Sequence, residues 1–289
     1  MAIRVRRFAA ALLFIFQYAV LQAATVSRTL YINRGTFTTV SGSTFPFFAF
    51  NDTSVFDPLN SVVQLLVNDV LDLTVVNNDT VAHGFALLGT GPIFTIAPAD
   101  SITTTYTSTL PVIVIYYDPL NAPDFHAAGL AGMICFTPGT EDADYFWNIK
   151  EHQTGYNDSI AAGVPVDWNA YRPDYFTING RSFPDLQLDP TATILQNVGD
   201  TIFIFVANTG RAKHSLHFHG FHPEVIYSSD PWIQVGSAKD TWPMKPMSAL
   251  LLQLVPDKLG RYSVHDHNLV AVSGGGVHPN GMFTIMEIQ

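Results

Sequence analysis

Two stretches, NDVLDLTVVNNDTVAHGF (Asn68 to Phe85) and GDTIFIFVANTGRAKHSLHFHG (Gly199 to Gly220), decide the fold between them. In each, apolar residues alternate with others over one strand's length, as a half-buried β-strand requires. Asp69 and Asp200, Asn77 and Asn208, and His83 and His214 stand at one constant offset of 131 positions, so the two segments read as copies of one strand and loop. A second pair follows. IYYDP…GLAGMICF matches SVHDHN…HPNGMFTI, with Asp118 opposite Asp266 and Met133 opposite Met282, at offsets of 148 and 149 that imply insertions in the second copy. Pro and Gly are spread throughout, and no long segment carries a helical period. The pattern is all-β, in two β-sandwich domains.

A chain of 289 residues has room for two such domains. The expected division is residues 25–150 and 151–289. The segment TGYNDSIAAGVPVDWNAYRPDYFTINGRSFPD (Thr154 to Asp185) mixes turn residues with aromatics, which predicts an ordered connection packed on the domains. Ahead of the first domain, Arg4, Arg6 and Arg7 precede an apolar run that ends in small residues. This is the layout of a secretory signal peptide over residues 1–24, and it predicts a secreted or periplasmic protein. The apolar run is shorter than the roughly 20 residues that span a bilayer.

Without the leader's three arginines the formal charge of −10 becomes −13, from 11 basic and 24 acidic groups. Such an acidic surface argues against nucleic acid and anionic membranes as partners. Cys135 is the only cysteine, so no intramolecular disulfide can form. Its place in the apolar run GMICFTP predicts a buried structural thiol. There is no Gly-rich phosphate loop, nucleophile elbow or helical metalloprotease motif. Asn51, Asn78 and Asn157 head N-x-S/T sequons, which matter only in a eukaryotic host.

Seven of the ten histidines fall between His214 and His278. Strand geometry sorts them. A period of two puts His217 and His219 on one face of their strand and His265 and His267 on one face of theirs. If the strands are neighbours, four imidazoles converge, an all-nitrogen set suited to copper, zinc or nickel, with copper favoured by intrinsic affinity. Asp266 must point the other way. His214, an odd number of residues from His217, can join it there, with His278 and Met282 arriving from the following loop as a second candidate metal site. His152 and His222 are expected on the surface.

YFTINGRSFPD (Tyr175 to Asp185), HSLHFHG (His214 to Gly220) and GRYSVHDHNLVAVSGGGVHPNGM (Gly260 to Met282) resemble the interdomain and C-terminal signatures of the multicopper oxidases, the laccase-like and nitrite-reductase-like enzymes. The resemblance implies tandem cupredoxin-like Greek-key domains. It places His214 at the blue-copper histidine, His217, His219, His265 and His267 at trinuclear-cluster ligands, and Met282 at the axial methionine. The family's cysteine falls on Asp266. The second blue-copper histidine falls near Ala271, with His278 the one replacement in reach. The first domain departs further, since Ala86, Leu88, Tyr117 and Pro119 stand where cluster histidines would be. His83, Asp118 and His126 there are read as structural.

A blue-copper centre needs a thiolate, and carboxylate is a harder ligand that gives neither its colour nor its fast electron transfer. The expected protein is therefore an exported copper-binding relative of the multicopper oxidases. As an enzyme it would be a copper oxidoreductase acting on small electron donors or oxygen species, without laccase-like turnover. The competing readings are a non-enzymatic copper carrier or binding module and a structural exoprotein. Association of several copies is compatible with each.

Overall fold

The computed structural model describes residues 23–120 and 122–289. The leader expected over residues 1–24 therefore lies outside the described residues, except for its last two. The first half contributes β1 (Thr25–Thr38), β2 (Thr44–Asn51), β3 (Val62–Leu66), β4 (Val70–Asn77), β5 (His83–Leu87), β6 (Thr90–Ile96), β7 (Ser101–Thr107), β8 (Val112–Tyr117) and β9 (Ala131–Thr137). The second contributes β10 (Ala143–His152), β11 (Tyr175–Ile178), β12 (Leu195–Gln196), β13 (Ile202–Asn208), β14 (His214–Phe218), β15 (Glu224–Ser228), β16 (Thr241–Met244), β17 (Ser248–Leu254), β18 (Gly260–Asp266) and β19 (Phe283–Ile288).

These strands form four sheets, in the orders β2-β1-β4-β7, β3-β9-β8-β5-β6, β11-β10-β13-β17-β15 and β12-β19-β18-β14-β16. The first two sheets enclose one apolar core, including Phe48, Phe50, Phe85 and Tyr116, and the last two enclose another, around Trp147, Phe218 and Trp242. The internal repeat is visible in the pairing. β1 runs parallel to β4 with Ile32 opposite Asn77, and β10 runs parallel to β13 with Ile149 opposite Asn208. Because β10 is hydrogen-bonded to β11 and β13, the division expected at residue 150 falls inside a strand of the second sandwich.

β10 also shows how the two sandwiches are joined. Tyr145, Trp147 and Ile149 enter the second core, and the alternate residues face the first domain. Phe146 packs with Ile113, Ile115, Met133, Phe205 and Leu251 in an apolar seam between the domains. Farther along, Asn148 Nδ2 donates to the Ala131 carbonyl at 2.9 Å and Lys150 Nζ to that of His126 at 2.6 Å. His152 ends the row against Phe47, with ring centroids 4.8 Å apart. The connection from Thr154 to Asp185 is ordered and packed. It opens with α-helix Thr154–Ala161, Asn157 Nδ2 donates to the Pro46 carbonyl at 2.9 Å, and Trp168 Nε1 donates to Asp124 at 2.8 Å. Among the described residues no helix is long and apolar enough to cross a membrane.

Candidate metal centre

The four clustered histidines come from β14, β18 and the residues just past each. β14 and β18 are antiparallel, with His217 opposite His265 and Leu216 opposite Asp266. Alternation then separates two environments. Leu216, Phe218, Val264 and Asp266 are buried, whereas His217, His219, His265 and His267 lie on the outer, solvent-facing side of the sheet. A cross-strand row runs Thr241, His217, His265, Phe283 over four strands.

The rings gather closely. His217 lies 4.7 Å from His219, 5.6 Å from His265 and 5.3 Å from His267, centroid to centroid, and His219 lies 5.1 Å from His265. The Nε2 atoms of His219 and His265 are 3.0 Å apart. Two imidazoles each about 2.0 Å from one metal ion, at close to a right angle, have their nitrogens about 2.8–3.0 Å apart, so this pair is spaced as two ligands of one ion. His265 Nδ1 lies 2.8 Å from the Asp266 carbonyl, which can only accept. That fixes the proton on Nδ1 and leaves the Nε2 lone pair toward the site, the arrangement that orients metal-bound histidines. Burial first, then His217 and His265, hold the His219 pKa below its ordinary value, which favours the neutral ring a metal needs. His217 Nδ1 pairs instead with Thr241 Oγ1 at 2.9 Å. As the rings stand, no group of three or more His, Cys, Asp or Glu side chains among the described residues is arranged to hold an ion. The His219–His265 pair is preformed, and the rings of His217 and His267 stand beside it without completing the set. With His265 Nε2 the acceptor, the 3.0 Å contact is an N–H···N bond donated by His219, whose Nε2 proton an incoming metal ion would displace; in donor type and in the tautomer of His265 the face fits copper.

Behind the sheet, the residues of the second candidate site have a different arrangement. His214 Nδ1 lies 2.5 Å from Asp266 Oδ2, and its Nε2 lies 3.0 Å from Glu151 Oε2, so both ring nitrogens face carboxylates. All three side chains are buried. Burial opposes the charge on His214, but the hydrogen bonds of Asp266 and Glu151 outweigh it and raise the ring to about 9. Glu151 is held low despite its burial by His214 and by the N–H groups of Arg211 and Ala212, each 2.7 Å from its Oε1. Met282 is fully buried in the second core. His278 is exposed, with Nδ1 on the Val272 carbonyl at 3.0 Å. The structure thus brings His214 and Asp266 together as partners of each other, with His278 turned to solvent.

The first domain repeats the device. His83 Nδ1 lies 2.8 Å from Asp118 and its Nε2 2.9 Å from Asp79. The second acid differs in origin, since Asp79 comes from the loop before β5 and Glu151 from β10. Both acids were missed in the sequence, although Lys150 and Glu151, side by side directly after the apolar and aromatic run Tyr145 to Ile149 broken only by Asn148, were a visible signal. His152 corrects an expectation. It is 0% exposed rather than on the surface, because it fills the seam between Phe45 and Phe47. His222 is exposed, and Cys135 is a buried thiol whose pKa burial pushes up. Of the sequon residues, Asn51 and Asn157 are buried and Asn78 is exposed.

Residues 162–279 match the family model described as multicopper oxidase. No curated protein sequence matches the chain. The fold is similar to the blue copper oxidase of Nitrosomonas europaea, at 19% identity over 92% of this chain and 86% of that one, with a TM-score of 0.75. It is similar to the multicopper oxidase mgLAC at 20% identity, over 92% and 87% of the two chains, with a TM-score of 0.76. For the copper nitrite reductase of Nitrosomonas europaea the values are 21%, 92% and 94%, and 0.72. At these identities the likeness is one of fold, two cupredoxin-like sandwiches in tandem. Residues 162–279 thus carry the pattern of a multicopper oxidase domain, and the chain as a whole has the tandem cupredoxin-like fold of these copper enzymes.

Proposed function

We propose that this is an exported copper-binding protein on a multicopper oxidase scaffold, with copper held by His217, His219, His265 and His267 and without a blue-copper centre. The Nε2 pair of His219 and His265 at 3.0 Å carries the reading. Bound there, copper would supply redox chemistry toward small donors or oxygen species at an open face. The chain's own part is to fix the tautomer of His265, hold His219 neutral and position His217 through Thr241.

Three observations support the absence of a blue centre. Aspartate stands at the thiolate position, both nitrogens of His214 face carboxylates, and His278 lies apart from them. The equivalent positions of the first domain, Ala86, Leu88, Tyr117 and Pro119, carry no imidazole, so a complete trinuclear cluster is not part of the proposal.

The test is elemental analysis and electron paramagnetic resonance of copper-loaded protein, beside His217→Ala/His219→Ala. The expected result is copper with nitrogen ligands, no intense absorption near about 600 nm, and loss of copper in the double variant. Unchanged copper in that variant, or a strong blue band, would overturn the reading. A copper carrier without catalysis remains the competing reading, favoured by the exposure of the face, and a dye-oxidation assay on the same samples separates the two.

A further inference from the structure

On the far side of the second domain from the histidine face, sheet β3-β9-β8-β5-β6 opens. β5 pairs with β8 only at Ala86↔Tyr117 and Leu87↔Tyr116, with one more bond from the Leu88 N–H to the Ile115 carbonyl at 2.8 Å. Beyond it the register of β5 with β6 shifts between Phe85 and Leu87, and the hairpin leaves β8. The result is a cleft of about 190 Å³ between the strands, walled across the domain seam by Tyr227 and Ala249.

Three features of this cleft point to an occupant. Its walls are mainly aliphatic side chains, with the hydroxyls of Thr90 and Ser229 among them and two aromatic rings, Tyr106 from the first domain and Tyr227 from the second. Neither phenol hydroxyl has a hydrogen-bond partner among the described residues, and both side chains line the same cleft. Finally, the Ile115 carbonyl faces β5, so by the two-residue period the N–H and C=O of Ile113 face the same side, where no strand meets them. An open edge of this kind offers a donor and an acceptor side by side.

We propose that this cleft binds a small single-ring aromatic molecule carrying an amide or an equivalent adjacent donor and acceptor. The volume suits it, since an apolar cavity of about 150 Å³ holds benzene. The ring would lie against Tyr106 and Tyr227, and the polar edge would pair with the Ile113 backbone and the phenols. Because both domains line the cleft, binding also stabilises the domain pair. The site stands apart from the four histidines and does not depend on copper.

Benzamide is the probe, titrated into metal-free full-length protein and followed by calorimetry and amide NMR. Saturable one-to-one binding is expected, with NMR shifts centred on Ile113, Leu88 and Ala249. Thr90→Trp, which places a ring at the exposed mouth, should abolish it. Tyr106→Phe with Tyr227→Phe should weaken it by about tenfold, the effect of losing one or two hydrogen bonds. His217→Ala/His219→Ala should leave it unchanged. Absence of saturation, equal affinity in the Thr90→Trp variant, or binding lost with the histidines would overturn the proposal.

Discussion

At the scale of single residues, the buried titratable groups pull stability in opposite directions with pH. Neither ring nitrogen of His152 has a hydrogen-bond partner among the described residues, and burial, then Lys150, lower its pKa to about 3 from the usual 6.5. The unfolded chain therefore takes up a proton that the folded one refuses, and stability falls as pH drops from 6.5 toward 3. His152→Phe, which suits neighbours Phe45 and Phe47, should reduce the loss of melting temperature between about pH 7 and pH 4. His214 behaves conversely. Raised to about 9, it contributes fully below 6.5 and progressively less as pH climbs through 9. Glu151→Gln should cost about 3 kcal/mol near pH 6, with a clearly smaller deficit near pH 10, read from urea unfolding at both.

At the scale of elements, the decisive fact is register. Pairing His217 with His265 puts every second residue of β14 and β18 on one side, so a one-residue slip would bury the imidazoles and expose Asp266. Thr241, opposite His217 on β16, supports the face from outside the histidine set. Under the proposed function, Thr241→Val should lower copper affinity about tenfold while leaving the circular dichroism spectrum unchanged, as loss of a ligand's supporting hydrogen bond does elsewhere. Equal affinity in competition with a chelator would show that Thr241 plays no such part.

At the scale of the whole molecule, the seam between the sandwiches couples them. Phe205 and Leu251 are fully buried there, as deeply as residues of either domain core. A seam of that kind predicts one cooperative unfolding transition in calorimetry. Leu251→Asp, which forces a carboxylate into the seam, should split it into two transitions or lower it sharply. An unchanged single peak would mean that the domains are joined mainly through the polar row of Asn148, Lys150 and His152.

The alternation of Asp69 to Asn78 and of Gly199 to Gly210, with the constant offset of three residue pairs, determined the two sandwiches, because burial of one sheet face imposes a period of two on any strand. The same period determined that His217, His219, His265 and His267 share a face that Asp266 leaves, once β14 and β18 are neighbours. That they are neighbours was decided only in three dimensions, since strand pairing is set by core packing over distant segments. The second acid that holds His214 was likewise decided there. Glu151 lies 63 positions from His214 and meets it across two sheets, and no local spacing records such a contact. His152 went from expected surface to buried seam for a related reason: one histidine beside a charged pair reads as polar, and only the packing of β10 against the first domain shows which side of the strand has no water.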